Sequence, residues 1–222
     1  MSAELISRTL ALLARQQTEL VLLDLGARNG VQDLAGLAPR VSARGFEPNP
    51  AEYDKLVSGD TDQARLMGIK PPPYKAIKYY PWAIGDRCGK TSFCVTPGPG
   101  ACGILEPDVA RLSEIRHLSQ TYNKSFGEDI FGRFEKIDVE LRTLDWLAAE
   151  EKIAHCDLLK IDVEGFEYEV LQGAKALLEH TGVVKVEICF IPFRHDQKVF
   201  SHVDLLLREQ GFDLLGYDIV QQ

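Results

Sequence analysis

The sequence predicts an α/β protein with a Rossmann-like, doubly wound and mostly parallel sheet that carries helices on both faces. Nearly continuous apolar runs are typical of parallel strands buried on both faces. Segments with helical periodicity alternate with these runs, which is the order expected of a parallel sheet. The first run, residues 20–25, leads into a glycine-bearing turn, and such a turn at the end of a parallel strand is where α/β folds bind ligands.

Chain length favours one large domain. The 222 residues bury enough surface to fold without crosslinks. We therefore expect a single domain over residues 1–222, with an N-terminal helix within residues 1–18. Residues 59–73 and 96–136 are less regular than the rest of the chain, and we interpret them as insertions that form substrate loops.

Periodicity predicts the elements in order. Helices are expected at residues 3–17, 31–37, 51–57, 109–118, 143–151, 167–178 and 200–210. Strands are expected at residues 20–25, 41–46, 74–80, 91–95, 136–141, 157–163, 183–190 and 212–220. Residues 121–132 are polar and contain two glycines, which indicates a mobile surface segment.

Composition narrows the function classes. The formal charge of −8 argues against a nucleic-acid-binding protein, which normally presents a basic face. Five cysteines are scattered without a CxxC pair, which is typical of reduced thiols rather than of disulfides or a zinc site. No apolar segment reaches the length of a membrane span, and charges at Glu4, Arg8 and Arg15 argue against a secretory signal. We therefore expect a cytoplasmic protein of undetermined oligomeric state.

The turn from Asp24 to Gly30 does not follow the dinucleotide-binding fingerprint. A GxGxxG motif beginning at Gly26 needs glycines where this chain has Arg28 and Val31, so the pattern suits a cofactor without a diphosphate. Glu47 follows Gly26 by 21 positions, a spacing at which an acidic residue accepts hydrogen bonds from ribose hydroxyls. The competing interpretation of Glu47 is a carboxylate that favours the dipole of the next helix.

A second motif crowds charge around the end of a buried strand. It contains Lys160, Asp162, Glu164 and Glu167, and charge in such a place is costly unless it is paired or used. A helix cap and a lysine–carboxylate pair account for two of these groups but not easily for all four. The motif therefore indicates a functional site.

Residues 157–174, Asp-Leu-Leu-Lys-Ile-Asp-Val-Glu-Gly-Phe-Glu-Tyr-Glu-Val-Leu-Gln-Gly-Ala, closely resemble the signature of FkbM-type methyltransferases. Residues 24–27 and 45–50 look like that family's cofactor motifs. Residues 142–145 and the pair Val186-Glu187 resemble two of its later elements. The resemblance spans about residues 20–50 and 137–190 and implies O-methylation by S-adenosylmethionine. The acceptor it implies is a hydroxyl of a sugar, polyketide or other small natural product.

The resemblance also implies residue roles. It assigns cofactor binding to Asp24, Gly26, Ala27, Gly30, Glu47, Pro48, Trp82, Ala83 and Asp162. Two departures concern the acceptor more than the reaction. The family usually has asparagine directly after Gly-Ala, where this chain has Arg28, and its substrate-side segment is often rich in serine, where this chain reads Pro99-Gly100-Ala101-Cys102-Gly103.

Methyl transfer to an alcohol benefits from a general base that takes the hydroxyl proton. Asp162 is the first candidate, Glu164 and Glu187 are next, and His195 is a further option that we weigh below an ordinary loop histidine. The three carboxylates would also suit Mg²⁺, which prefers oxygen ligands and would lower the pKa of the hydroxyl. We do not favour the metal site, because carboxylates alone do not specify one.

Two other function classes share parts of this pattern. An NAD(P)-dependent oxidoreductase would have the same fold and Glu47, but the missing second fingerprint glycine speaks against it. A non-catalytic cofactor-binding domain would keep Gly26 and Glu47 but would gain nothing from the acidic cluster after Lys160.

Overall fold

The computed structural model describes residues 3–118 and 128–218. Its α helices in these ranges are α1 (Ala3–Arg15), α2 (Pro50–Ser58), α3 (Asp62–Met67), α4 (Val109–Leu118), α5 (Glu128–Phe131), α6 (Leu144–Glu150), α7 (Glu167–Gln172), α8 (Lys175–Leu178) and α9 (Phe200–Glu209), with 3-10 helices at Ala35–Arg40 and Pro99–Ala101. Its strands are β1 (Leu20–Leu25), β2 (Val41–Phe46), β3 (Ala76–Tyr80), β4 (Trp82–Ile84), β5 (Gly89–Val95), β6 (Glu135–Arg142), β7 (Cys156–Ile161) and β8 (Thr181–Val186). None of the helices in the described ranges has the length and apolar character to cross a membrane.

The main sheet has the strand order β3-β2-β1-β7-β8, and every neighbouring pair in it is parallel. The chain moves outward from β1 to β3 and later returns to the other side of β1 with β7. The order therefore reverses between β1 and β7, and ligands of open α/β sheets bind beyond the carboxyl ends of the strands at such a point. The predicted parallel sheet is confirmed.

Hydrophobic clusters cover both faces of this sheet because side chains alternate along β1. Leu22 packs with Leu37 and Leu56 on the face covered by α1 and α2. Leu23 and Leu25 pack on the opposite face, against α6 to α9. Leu22, Leu23 and Leu25 are completely buried, and each stabilises the fold by roughly 1.5–3 kcal/mol. Helices on both faces are therefore confirmed as well.

A second sheet of order β4-β6-β5 lies beside the main one. The sequence predicts its strands β5 and β6, but neither β4 nor a separate sheet. β4 is parallel and β5 antiparallel to β6. Three residues are too few to show a periodicity, so β4 has no recognisable pattern. Its Trp82 ring lies 4.7 Å from the Tyr80 ring at the end of β3, which joins the two sheets.

Two predicted helices were wrong in their bounds. The helix expected at residues 31–37 is instead the 3-10 helix Ala35–Arg40, because Leu34, within the expected range, has a positive φ angle that an α helix excludes. The helix expected at residues 167–178 is broken into α7 and α8. The break lies at Gly173, which packs so closely that a Cβ atom there would be 2.0 Å from the carbonyl oxygen of Gly85.

Two predicted strands also differ. The strand expected at residues 183–190 is β8, which begins earlier and ends at Val186. Residues 212–218 form no strand, and the rest of the last predicted strand lies outside the described residues. Leu215 and Tyr217 are largely exposed. The apolar residues that predicted this strand are therefore not packed into the sheet.

The expected insertions are partly helical. Residues 59–73 contain α3, and residues 96–136 contain α4 and α5. Most of the segment expected to be mobile, residues 121–132, lies outside the described residues.

Candidate active site

A cavity of about 380 Å³ opens at the carboxyl ends of β1, β2 and β7. Its wall includes every residue that the motifs predict for cofactor binding, namely Asp24, Gly26, Ala27, Gly30, Glu47, Pro48, Trp82, Ala83 and Asp162. Of the predicted catalytic residues, Asp162 and Glu164 line the cavity and Glu187 does not. Motifs far apart in the chain thus meet at the reversal point of the sheet.

Gly26 is required by the packing of strand ends. Its φ is +81°, and a Cβ atom there would lie 1.8 Å from the backbone oxygen of Asp162. The N–H groups of Gly26 and Ala27 both donate to the Phe46 carbonyl, at 3.1 and 3.0 Å, and Asp162 N–H donates to the Leu25 carbonyl at 3.1 Å. The turn is therefore bonded to β2 on one side and to β7 on the other.

Lys160 connects the two acidic motifs. Its Nζ lies 3.0 Å from Asp24 Oδ1 and 3.3 Å from Asp162 Oδ2, and it donates to the Gly26 carbonyl at 3.3 Å. Burial raises the pKa of Asp24 to about 6, against the effect of Lys160. Burial alone would lower the pKa of Lys160, but the two carboxylates outweigh it and raise that pKa. Lys160 therefore stays charged and fixes both carboxylates against the glycine turn.

Glu47 lies in the cavity wall directly after β2. It is buried, and its Oε1 accepts a hydrogen bond of 2.9 Å from the N–H of Asn49. Asn49 is the N-cap of α2, with its Oδ1 accepting from Ala51 N–H at 3.1 Å, and Pro50 occupies the first helical turn. Burial raises the pKa of Glu47 to about 7, against the Asn49 hydrogen bond. The cap thus holds an acceptor at the edge of the cavity.

Two further polar groups of the cavity wall have no bonding partner. Asn29 Oδ1 and Gln32 Nε2 are buried and make no hydrogen bond in the described part of the chain, and both residues line the cavity. Buried polar atoms left without partners cost about 1–3 kcal/mol each. A polar ligand in the cavity would satisfy them. No spacing in the sequence marks these residues for that role.

Three carboxylates converge beside the cavity. Asp162, Glu164 and Glu187 each place one oxygen within 4.8 Å of the other two. Burial, followed by the charges of Asp162 and Glu164, raises the pKa of Glu187 to about 8. Burial raises the pKa of Glu164 to about 7, although Arg194 opposes it. The cluster therefore keeps a proton at neutral pH.

Arg194 organises this cluster and was missed in the sequence. Its side chain is only 3% exposed, and its Nη2 lies 3.2 Å from Glu164 Oε2. It also donates to the carbonyls of Ala101, at 2.7 Å, and Leu105, at 3.1 Å. Arg194 therefore ties the turn after β7 to the segment that begins at the Pro99–Ala101 helix. It lies in an irregular stretch, where neither period nor motif distinguishes it.

Two other charged residues have structural surroundings. Glu167 Oε1 accepts hydrogen bonds from Gly165 N–H, at 2.9 Å, and Val163 N–H, at 3.3 Å, so it holds the turn after β7. His195 has a side chain that is 60% exposed, lies 3.6 Å from Asp108 and does not line the cavity. The geometry gives His195 no contact with the candidate site.

Comparison with known proteins identifies the family. Residues 24–214 match the family described as Methyltransferase FkbM domain. This chain belongs to the FkbM methyltransferase family. The prediction from the motifs is confirmed, and the matched range includes every residue that lines the cavity.

Relatives of this FkbM-family chain carry methyltransferase names. It is 26% identical over 204 residues to "Methyltransferase sdnD" of Sordaria araneosa, in a match that covers 87% of this chain and 73% of that protein. It is 28% identical over 172 residues to "2-O-methyltransferase NoeI" of Sinorhizobium fredii, covering 75% of this chain and 62% of that protein. Among solved structures it is similar to an FkbM methyltransferase from Methylobacillus flagellatus KT, with a TM-score of 0.39, 16% identity, and coverage of 73% of this chain and 30% of that one.

Proposed function

We propose that this chain is an S-adenosylmethionine-dependent O-methyltransferase that acts on a hydroxyl group of a sugar, polyketide or other small natural product. The observation that carries the proposal is the cavity, where the predicted cofactor residues adjoin two carboxylates suited to proton transfer. Membership of the FkbM family and a relative named as a 2-O-methyltransferase support it. We also propose a cytoplasmic location, which the five free cysteines favour.

The residues present fit the cofactor. A cavity of about 380 Å³ is in the range that small-molecule sites occupy. Glu47 would accept hydrogen bonds from the ribose hydroxyls, and Trp82 and Ala83 would lie against the adenine. The unsatisfied atoms of Asn29 and Gln32 would bind polar groups of the same ligand.

The bound cofactor supplies an electrophilic methyl group on a sulfonium. The protein has to hold the acceptor oxygen in line with that methyl group, and such orientation lowers a barrier by roughly 7–11 kcal/mol. It also has to receive the hydroxyl proton, which is worth about 10²–10⁴-fold in rate. The cavity wall offers Asp162 and Glu164 for this second task.

Among these carboxylates we favour Glu164 as the base over Asp162, the first choice from sequence. Asp162 contacts Lys160 at 3.3 Å, the same lysine that holds Asp24 and the glycine turn, so its carboxylate has a positioning role. Burial brings the pKa of Glu164 to about 7, close to the value at which a general base works best near neutrality. Glu187, with a pKa raised to about 8, stays protonated near neutral pH. Asp162 is then the negatively charged neighbour of Glu164, and Glu187 does not add a second one.

The same three carboxylates offer oxygens within 4.8 Å of one another, a set that Mg²⁺ accepts. We do not favour this version, because carboxylates alone do not specify a metal site. Activity should therefore survive exhaustive chelation. Loss of activity on chelation and its return with Mg²⁺ would show that a metal ion, rather than a general base, activates the hydroxyl.

Transfer of a radiolabelled methyl group to a panel of hydroxyl-bearing acceptors tests the proposal. Glu164→Gln should lower kcat by about 10²–10⁴-fold, and Glu209→Gln, at an exposed position on α9, should leave it unchanged. Binding of S-adenosylhomocysteine without transfer to any acceptor would favour a non-catalytic domain. Binding of NADH instead would favour an oxidoreductase.

A further inference from the structure

Arg28 lies in the wall of the cavity with unused hydrogen-bond donors. Its side chain is 28% exposed, and its Nη1 lies 3.8 Å from Glu52 Oε2 and 3.5 Å from Asp62 Oδ2. These are long ion pairs, and within residues 3–118 and 128–218 no hydrogen bond from its guanidinium is found. An arginine has five N–H donors, so this side chain has donors left for a ligand.

The orientation of the guanidinium divides it into two edges. Both ion pairs use Nη1, on the side of α2 and α3. Nη2 faces the Pro99–Ala101 helix, since a Cβ atom on Gly100 would lie 3.7 Å from it. Pro99 and Gly100 line the cavity. The edge with Nη2 is therefore presented between the glycine turn and the segment expected to contact the acceptor.

The charges around Arg28 leave its own charge incompletely neutralised. Lys55 donates to Glu52 Oε1 at 2.7 Å, and Arg65 donates to Asp62 Oδ1 at 2.7 Å. Three cations thus share two carboxylates, and both carboxylates have a closer partner than Arg28. Glu47, whose pKa is about 7, adds only part of a negative charge near neutral pH.

We propose that Arg28 binds a carboxylate group of a ligand held in this cavity, an inference that rests on the proposed function. The planar guanidinium matches a carboxylate in a two-point hydrogen bond. Two sources supply that group: the amino-acid tail of S-adenosylmethionine, or an acidic acceptor such as a uronic acid. Glu52 and Asp62 hold the opposite edge of the guanidinium and so fix its direction.

Calorimetric titration separates the two sources. The first arm compares S-adenosylhomocysteine with its decarboxylated analogue on wild-type protein, Arg28→Gln and Arg65→Gln. Arg65 is a matched control because it is hydrogen-bonded to the same Asp62 and does not line the cavity. If the cofactor supplies the carboxylate, Arg28→Gln weakens S-adenosylhomocysteine on the order of 10- to 100-fold and leaves the analogue unchanged. Arg65→Gln should change neither affinity.

The second arm titrates methyl glucuronide and methyl glucoside into protein saturated with S-adenosylhomocysteine. If the acceptor supplies the carboxylate, Arg28→Gln weakens the glucuronide alone. The proposal is overturned if Arg28→Gln changes no affinity in either arm, or weakens each ligand and its carboxylate-free counterpart equally. Thermal unfolding confirms that the variants fold, and Arg28→Lys should recover part of the lost affinity. Failure of the wild-type protein to bind S-adenosylhomocysteine would refute the proposed function instead.

Discussion

Gly26 is the residue on which the meeting of β1 and β7 depends. Gly26→Ala should lower the free energy of unfolding by more than about 3 kcal/mol, in the range of the severe single substitutions. The reason is that the new Cβ atom would lie 1.8 Å from the Asp162 backbone oxygen. Chemical denaturation measures the loss. Gly59→Ala is the control, because Gly59 also has a positive φ but nothing within 4 Å of a Cβ atom, and it should cost only about 1–2 kcal/mol. Equal losses would contradict this explanation.

Arg194 sets the protonation of Glu164. Its charge lowers the pKa of Glu164 against burial, so Arg194→Met should raise that pKa. A base must be deprotonated to act, so with Glu164 as the proposed base kcat should rise with pH through the pKa of Glu164. The rising limb should move to higher pH in Arg194→Met and stay near its wild-type position in Arg194→Lys, which keeps the charge. A limb that does not move in the methionine variant would remove Glu164 from the role of base.

At the scale of single residues, the sequence predicts those site residues that lie within local motifs. Glu47 and Asp162 follow strands whose ends share one edge of the sheet, so their convergence was predictable. The roles of Arg194 and Gln32 were not predictable. Arg194 contacts segments that are remote in the chain, and Gln32 lines the cavity. Arg194 reaches Ala101 across 93 positions, a distance over which periodicity carries no information.

The N-terminus of α2 connects helix stability to the cavity. Asn49→Ala removes the hydrogen bond that the side chain accepts from Ala51 and should cost about 1 kcal/mol, as cap removals usually do. Thr143→Ala, which removes the cap of α6 on Trp146 N–H, should cost a similar amount. Only Asn49→Ala should also weaken S-adenosylhomocysteine, since losing the side-chain cap loosens the backbone whose N–H at position 49 donates to Glu47. Thermal unfolding and calorimetry together test this, and equal effects on binding would contradict it.

Secondary-structure elements with a strong hydrophobic pattern were predictable from the sequence. Elements that depend on contacts with distant segments were not. β1 has a nearly continuous apolar run, which marks it as a strand buried on both faces. The last predicted strand has an apolar pattern too, but a strand needs a hydrogen-bonding partner, and residues 212–218 pair with no strand in the described part of the chain. α8 begins where Asp145 accepts hydrogen bonds from Ala176 and Leu177 N–H, a cap supplied from another helix.

Over the whole molecule, raised carboxylate pKa values make folding depend on pH. The pKa is about 6 for Asp24, about 7 for Glu47 and Glu164, and about 8 for Glu187, against unshifted values of 3.8 for aspartate and 4.5 for glutamate. Between these limits the folded chain binds more protons than the unfolded chain. Its stability is therefore fully present at the low end of the window and falls as pH rises toward 8.

Urea unfolding measured at several pH values between about 5 and 8 should show this decline. Glu187→Gln removes one of the shifted groups and should make the decline shallower. Glu209→Gln, at an exposed position, should leave the slope as it is. A free energy of unfolding that rises with pH over this window would contradict the protonation assigned to the cavity.

Calorimetric titration of S-adenosylhomocysteine, with NADH as competitor, tests the central claim most directly. The wild-type protein should bind S-adenosylhomocysteine, NADH should not displace it, and Glu47→Ala should weaken it on the order of 10- to 100-fold, while Glu209→Ala binds as wild type does. Displacement by NADH, or equal affinity in the wild-type and Glu47→Ala proteins, would contradict a cofactor site at the carboxyl ends of β1, β2 and β7.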